Sequence, residues 1–198
     1  MEFRKVLLEK IKGIMENWTD DGIYAVSFFV EPNEDHICQG ISNLSEFMIS
    51  YNTEEDCDFA GPLEEERWNY ACWSQNEEAV IEAEEDCKES DMLLSWYQEL
   101  GITEIGSEPD ENDEYDEEMN YIGKGPKGHY ELLMLAADIA RQLQEEGFLQ
   151  KRFHKEIPII VHGLEYAWYD IEATKIANPH GEAHLFLEYA KQELGYSG

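Results

Sequence analysis

The stretch IYAVSFFV at residues 23–30 places the strongest constraint on the fold. It is rich in β-branched and aromatic side chains and contains no charged residue. A short apolar run of this composition is typical of a buried strand. A second run, EFMISYN at 46–52, carries Phe47, Ile49 and Tyr51 at every second position and predicts another strand. The fold must therefore contain a sheet.

Helical periodicity surrounds these two strands. Apolar residues at helical spacing predict a first helix ending near Asn17, and later helices over 89–101 and 129–147. The segment EIPIIVHG at 156–163 predicts a short strand, which Pro158 places near the strand start or on a sheet edge. Two further helices are predicted in LEYAWYDIEATKIANP and GEAHLFLEYAKQELG.

One segment is ambiguous between helix and strand. In residues 63–73, Pro62 followed by three Glu favours a helix from Leu63, whereas Trp68, Tyr70 and Cys72 alternate as in a strand. We favour the helix. The whole pattern predicts a single α+β domain over residues 1–198, with a small mixed or antiparallel sheet flanked by several helices. Residues 102–128 are expected to form a polar, acidic loop or connector.

Negative charge is concentrated in the middle of this chain. The formal net charge is −31, and residues 54–118 hold 25 acidic residues against Arg67 and Lys88 alone. Such charge repels nucleic acid phosphates, so nucleic acid is excluded as a partner. It fits either a solvated insertion or a surface for a basic protein partner.

Cysteine spacing and hydropathy exclude several other classes. The four cysteines form no C-x-x-C pair, so a zinc ribbon or a thioredoxin-like site is unsupported. The N-terminal segment has no continuous apolar region of a signal peptide, and no run approaches the about 20 apolar residues of a membrane span. We expect a cytoplasmic protein without membrane association.

The run EPDENDEYDEE at 108–118 is the densest acidic segment. It fails as an EF-hand, because Tyr115 stands where the loop needs Gly and Tyr121 where it needs Glu. It is therefore either a solvated tether or a surface that attracts a basic protein. Mobile acidic side chains of this kind accelerate association with a cationic partner.

Three histidines support the alternative of a metal-binding protein or a hydrolase. His180 and His184 are four residues apart and would share one helix face, while His162 follows an apolar strand, at the end where α/β proteins place chemistry. The zinc protease motif H-E-x-x-H is absent, because the Glu of HGEAH occupies the third position. No catalytic motif is found, so we expect a non-enzymatic protein with no cofactor.

Several segments resemble a known family. They are YAVSFFV, YNTEED, EERWNYACWSQNE and GFLQKRFHKEIPIIVHGLEYAWYDIEATKIANP, which together extend over about residues 1–178. They resemble the small bacterial proteins of domain-of-unknown-function family 4303. That resemblance implies no catalytic residues, and small acidic bacterial proteins of this kind resemble immunity proteins that neutralise toxins.

The sequence thus favours a protein-binding module with a basic partner, and the resemblance to immunity proteins suggests a basic toxin as that partner. The oligomeric state is not constrained. Aromatic side chains are mostly core residues, but an exposed subset would anchor a partner. The expected partner-binding residues are Glu64, Glu65, Glu66, Trp68, Trp73, Asp110, Glu111, Asp113, Glu114, Asp116, Glu117 and Glu118.

Overall fold

The computed structural model describes residues 2–84, 87–110 and 114–195. In chain order these residues form α1 (Glu2–Asn17), β1 (Ile23–Asn33), β2 (Leu44–Thr53), α2 (Glu65–Trp68), a 3-10 turn (Tyr70–Cys72), β3 (Glu78–Ile81), α3 (Lys88–Glu99), α4 (His129–Glu145), α5 (Phe148–Phe153), β4 (Ile159–His162), α6 (Trp168–Ala177) and α7 (His184–Glu193).

The four strands form one mixed sheet in the order β3-β2-β1-β4. β1 pairs antiparallel with β2 and parallel with β4, and β2 pairs antiparallel with β3. The predicted single-domain α+β arrangement is confirmed. The sheet is of the mixed kind, because β4 returns alongside β1 after the helices of the middle of the chain.

Both faces of β1 are buried over residues 23–30, which explains the continuous apolar sequence there. On one face Val26, Phe28 and Val30 belong to a core formed with side chains of α1, α3 and α4. On the other face Tyr24 and Phe29 belong to a second core. That core also contains Trp68, Tyr70 and Trp73, and Phe186 of α7. A strand covered on both sides has no position at which a charged side chain is solvated.

The ambiguous segment at 63–73 forms neither a continuous helix nor a strand. The helix predicted from Leu63 is only Glu65–Trp68, and a 3-10 turn follows at Tyr70–Cys72. Asn69 separates them in an extended conformation, and its side-chain oxygen accepts a hydrogen bond from the amide of Ala71. The alternating residues Trp68, Tyr70 and Cys72 therefore do not form a strand. β3 lies in the residues that follow, where no strand was predicted from the sequence.

The acidic middle segment is folded against the domain. Its described residues, 102–110 and 114–128, contain no helix or strand apart from an isolated bridge between Tyr115 and Tyr121. Backbone hydrogen bonds join Lys127 to Gly106 and Ser107, and the hydroxyl of Tyr97 donates to the carbonyl of Gly128 at 2.8 Å. These contacts hold the two ends of the segment against the domain.

The outer edge of β4 is closed by side chains of the helix that follows it. Asn178 accepts a hydrogen bond from the amide of Ile159 at 3.0 Å and donates to its carbonyl at 2.7 Å. The hydroxyl of Thr174 accepts from the amide of Val161 and donates to its carbonyl. These two side chains do what a fifth strand would do, so the edge presents no free backbone groups there. Pro158 directly precedes this edge strand, as its position in the sequence predicted.

Replacing Asn178 with Ala should destabilise the fold strongly. The change orphans both backbone groups of Ile159, and buried polar groups without partners cost about 1–3 kcal/mol each. We expect a loss of about 2–4 kcal/mol in the free energy of unfolding, measured by urea denaturation. Asn17→Ala is the matched control, because Asn17 is exposed and makes one local hydrogen bond. A loss for Asn178→Ala no larger than that of the control would contradict the edge-closing role.

Candidate functional site

A large cleft lies where β1 and β4 end. Because these strands are parallel, their carboxyl ends meet at the same edge of the sheet, where α/β proteins commonly bind ligands. The cleft has a volume of about 960 Å³. Its walls are the residues that follow β1, the loop 163–167 after β4, the start of α4, and part of the acidic middle segment.

The cleft is strongly acidic. Among its described lining residues there is no Lys or Arg, and there are five carboxylates. They come from the end of β1 and the loop after it, from β2 and from the loop after β4: Glu31, Glu34, Asp35, Glu46 and Glu165. An acidic cavity without internal cations has a negative potential that water and mobile ions must compensate.

The carboxylates at this site repel one another. Burial raises the pKa of Glu31 above its ordinary value, and the charges of Glu46 and Glu34 raise it further. Burial also raises the pKa of Glu108, with added contributions from Glu114 and Glu34. Glu34 therefore links the end of β1 electrostatically to the acidic middle segment. A cation in the cleft would relieve this repulsion.

The acidic segment 108–118 contributes unequally to this site. Tyr115 lines the cleft, and the charge of Glu114 acts on Glu108. Asp116 is used internally, because its carboxylate accepts hydrogen bonds from the amides of Glu118 and Asn120. The predicted binding residues Asp110, Glu117 and Glu118 are exposed, whereas Glu111 and Asp113 lie outside the described residues.

Aromatic and aliphatic side chains complete the walls. Four tyrosines line the cleft: Tyr115, Tyr121, Tyr166 and Tyr169. Leu164 stands at the cleft with 75% of its surface exposed, and Tyr115 is 47% exposed. Exposed apolar side chains beside a charged cavity are typical of a surface that binds another protein.

His129 lines this cleft with a buried imidazole ring. The side chain is only 4% exposed, and its Nδ1 lies 3.0 Å from the hydroxyl oxygen of Ser45. Burial lowers the pKa of His129 to about 4, so the ring is neutral at pH 7. Among the described residues no hydrogen-bond partner is found for its Nε2.

Asp170 fixes the loop after β4. Its carboxylate accepts hydrogen bonds from the amide of Ala167 at 2.8 Å and from that of Gly163 at 3.2 Å. These bonds hold both ends of the 163–167 loop, which carries Leu164 and Glu165 into the cleft wall. Burial raises the pKa of Asp170 to about 7, and the two amides oppose that rise.

The other predicted binding residues lie elsewhere. Glu64, Glu65 and Glu66 are exposed at the start of α2 and line a separate, smaller cleft with Asp58 and Glu193. That cleft shares no lining residue with the one at the ends of β1 and β4.

Trp68 and Trp73 do not fit the predicted role of exposed anchors. They are 3% and 4% exposed and pack against the ring of Tyr24. Their indole nitrogens donate to the carbonyls of Pro62 and Arg67, so both polar and apolar surfaces are satisfied within the fold. They serve as core residues of the second hydrophobic core.

The three histidines of the metal or hydrolase alternative are not brought together. His162 is buried, and its Nδ1 lies 2.7 Å from the carbonyl of Gly163, which can only accept. Nδ1 therefore carries the proton and Nε2 accepts from Ser27, so both nitrogens are occupied. His180 and His184 are exposed near the start of α7. Within the described ranges, no three His, Cys, Asp or Glu side chains are grouped so that they could hold a metal ion.

Comparison with known proteins adds no assignment. No family model, curated protein or solved structure matches this chain, so the resemblance to family 4303 stays a prediction. Among the described helices, none is long and apolar enough to cross a membrane.

Most residues of the cleft were not predicted from the sequence. The acidic middle segment was located, but not Glu31 at the end of β1, nor Glu34 and Glu165, which follow β1 and β4. The rule that ligands bind beyond the carboxyl ends of parallel strands was applied to His162 alone. Applied to both VEPNEDH and HGLEYAW, it would have found the acidic residues, had the parallel pairing been known.

The mutual repulsion predicts a pH dependence of stability. Glu31, Glu108 and Asp170 have folded-state pKa values above their ordinary values, so each of these groups binds more protons in the folded chain than in the unfolded chain. Their contribution to the free energy of unfolding should therefore fall as pH rises from about 4 through about 7, whereas the buried His129 and His162, whose pKa is lowered to about 4, contribute in the opposite direction. Glu31→Gln should raise it at pH 7 by about 0.5 kcal/mol, because water screens part of the repulsion at a half-buried group.

This prediction is checked by urea denaturation across that pH range at low salt. Glu9→Gln is the control, because Glu9 is exposed on α1, outside the cleft. Equal changes in the two variants would show that only the total charge matters, and not the carboxylates of the cleft.

Proposed function

We propose that this chain is a non-enzymatic protein-binding module that binds a basic protein through the cleft at the ends of β1 and β4. The observation that carries the proposal is the cleft itself, with five carboxylates and no Lys or Arg among its described lining residues. The likeness to immunity proteins extends the proposal to a basic toxin as the partner.

The surroundings of the cleft support a protein rather than a small ion as the partner. Interfaces combine a central cavity with exposed aromatic and aliphatic contacts, and here Leu164 and Tyr115 provide such contacts. Exposed carboxylates of the middle segment, such as Glu117 and Glu118, lie in the same segment as Tyr115. Their charge would accelerate the approach of a basic protein before contact is made.

The proposal is tested by affinity capture with three immobilised proteins. They are the wild type, a cleft variant (Glu31→Gln, Glu34→Gln, Glu165→Gln), and a control with the same change in charge (Glu9→Gln, Glu16→Gln, Glu99→Gln). The control positions are exposed on α1 and α3 and do not line the cleft. We expect a basic protein that the wild type and the control retain and the cleft variant loses, reproduced with purified partner. Identical capture by all three would overturn the proposal.

The kinetics should separate the two kinds of carboxylate. Neutralising Glu117 and Glu118, which are exposed, should slow association by about threefold to tenfold at low salt, and little at 0.5 M. Neutralising Glu31, which is half-buried in the cleft, should mainly accelerate dissociation. Surface plasmon resonance with the purified partner measures both rates. Unchanged association for the Glu117/Glu118 variant at low salt would mean that the acidic segment does not steer the partner.

A further inference from the structure

The middle of this chain already contains a binding site for a guanidinium group, and it is occupied by the protein's own arginine. Arg67 forms a two-pronged ion pair with Glu54, at 2.8 and 2.6 Å between nitrogens and carboxylate oxygens. Its guanidinium carbon lies 4.0 Å from the ring centre of Tyr24. One carboxylate and one tyrosine ring thus hold a flat cation at its edge and at its face.

The cleft at the ends of β1 and β4 presents the same two kinds of group without an internal cation. Carboxylates of Glu31 and Glu165 stand in one cavity with the ring of Tyr115, and none of the described lining residues is basic. His129 adds a neutral ring whose Nε2 has no hydrogen-bond partner within the described parts of the chain. In the tautomer in which Nδ1 donates to Ser45, that nitrogen accepts a hydrogen bond.

We infer that this cleft binds a guanidinium group, supplied by an arginine side chain of the partner protein. The source of the group rests on the proposed function; the preference for guanidinium rests on the cleft alone. A guanidinium suits this cavity better than an ammonium, because it is planar, weakly hydrated and able to stack on tyrosine while its N–H groups reach carboxylates. An ammonium is a compact, strongly hydrated charge that gains less from a ring wall.

The inference is tested with N-acetyl-L-arginine amide and N-acetyl-L-lysine amide as matched probes. Their binding is followed by the backbone amide chemical shifts of the wild-type protein at low salt. We expect saturable shifts at Gly125, Gly163 and Ala167, which line the cleft, with the lysine compound binding about tenfold more weakly. Equal binding of the two compounds, or no shift at the cleft, would overturn the inference.

Two variants assign the binding to the proposed groups. Glu31→Gln should weaken the arginine compound about tenfold by removing a carboxylate, and Glu9→Gln should leave it unchanged. Tyr115→Leu replaces an exposed ring with an aliphatic side chain and should weaken the arginine compound severalfold, with less effect on the lysine compound. Full binding to both cleft variants would overturn the assignment of these groups.

Failure of the guanidinium inference can be distinguished from failure of the proposed protein binding. If the arginine compound fails to bind while partner capture still depends on the cleft carboxylates, the protein-binding proposal stands and the guanidinium preference is overturned. If the arginine compound binds but capture of no protein depends on the cleft carboxylates, the guanidinium site stands. The proposal that a partner protein supplies the guanidinium group is then overturned.

Discussion

The parallel pairing of β1 with β4 positions the acidic cleft, and this pairing depends on hydrogen bonds to the outer edge of β4. β4 has only four residues and one neighbouring strand. Asn178 and Thr174 satisfy the backbone groups that would otherwise be left without partners in a buried environment. Asn178 also accepts a hydrogen bond from Gln144 of α4, which joins the edge to the main core. The walls of the cleft are therefore held by buried polar contacts.

The cleft carries an energetic cost that the fold tolerates. Carboxylates around Glu31 are held where burial and neighbouring charge both favour protonation. A sequence selected for stability alone would place neutral side chains there, so the retained repulsion agrees with the proposal that the cleft binds a cationic group. Asp170 has a different role, because it exchanges part of its solvation for two backbone hydrogen bonds that shape the loop. Asp170 thus serves the architecture of the protein, whereas the carboxylates around Glu31 are the groups proposed to meet a ligand.

The sequence predicted the parts of the fold that have strong periodicity. The run at 23–30 identified β1, and the helical pattern from His129 identified α4 with its start at the observed residue. It did not identify β3, which is four residues long, and it left Trp68 and Trp73 open between the core role that aromatic residues usually have and the role of partner anchors, whereas both are buried. Burial of an indole depends on which segments cover it, here α7 from the far end of the chain. The cleft was missed for the same reason, since Glu165 is more than a hundred residues from the other four carboxylates and is brought to them by the pairing of β4 with β1.

The closed edge of β4 limits the ways in which a partner protein could be recognised. Many proteins recognise an extended peptide by adding it to a sheet edge, which requires free backbone groups and a strand-forming partner. At the edge nearest the cleft, Asn178 and Thr174 already occupy those groups. A partner bound beside this edge would be recognised through its side chains, whatever the conformation of its backbone. An arginine side chain on a helix, a turn or a strand would then bind equally well. Partner proteins with unrelated folds could therefore bind the same cleft.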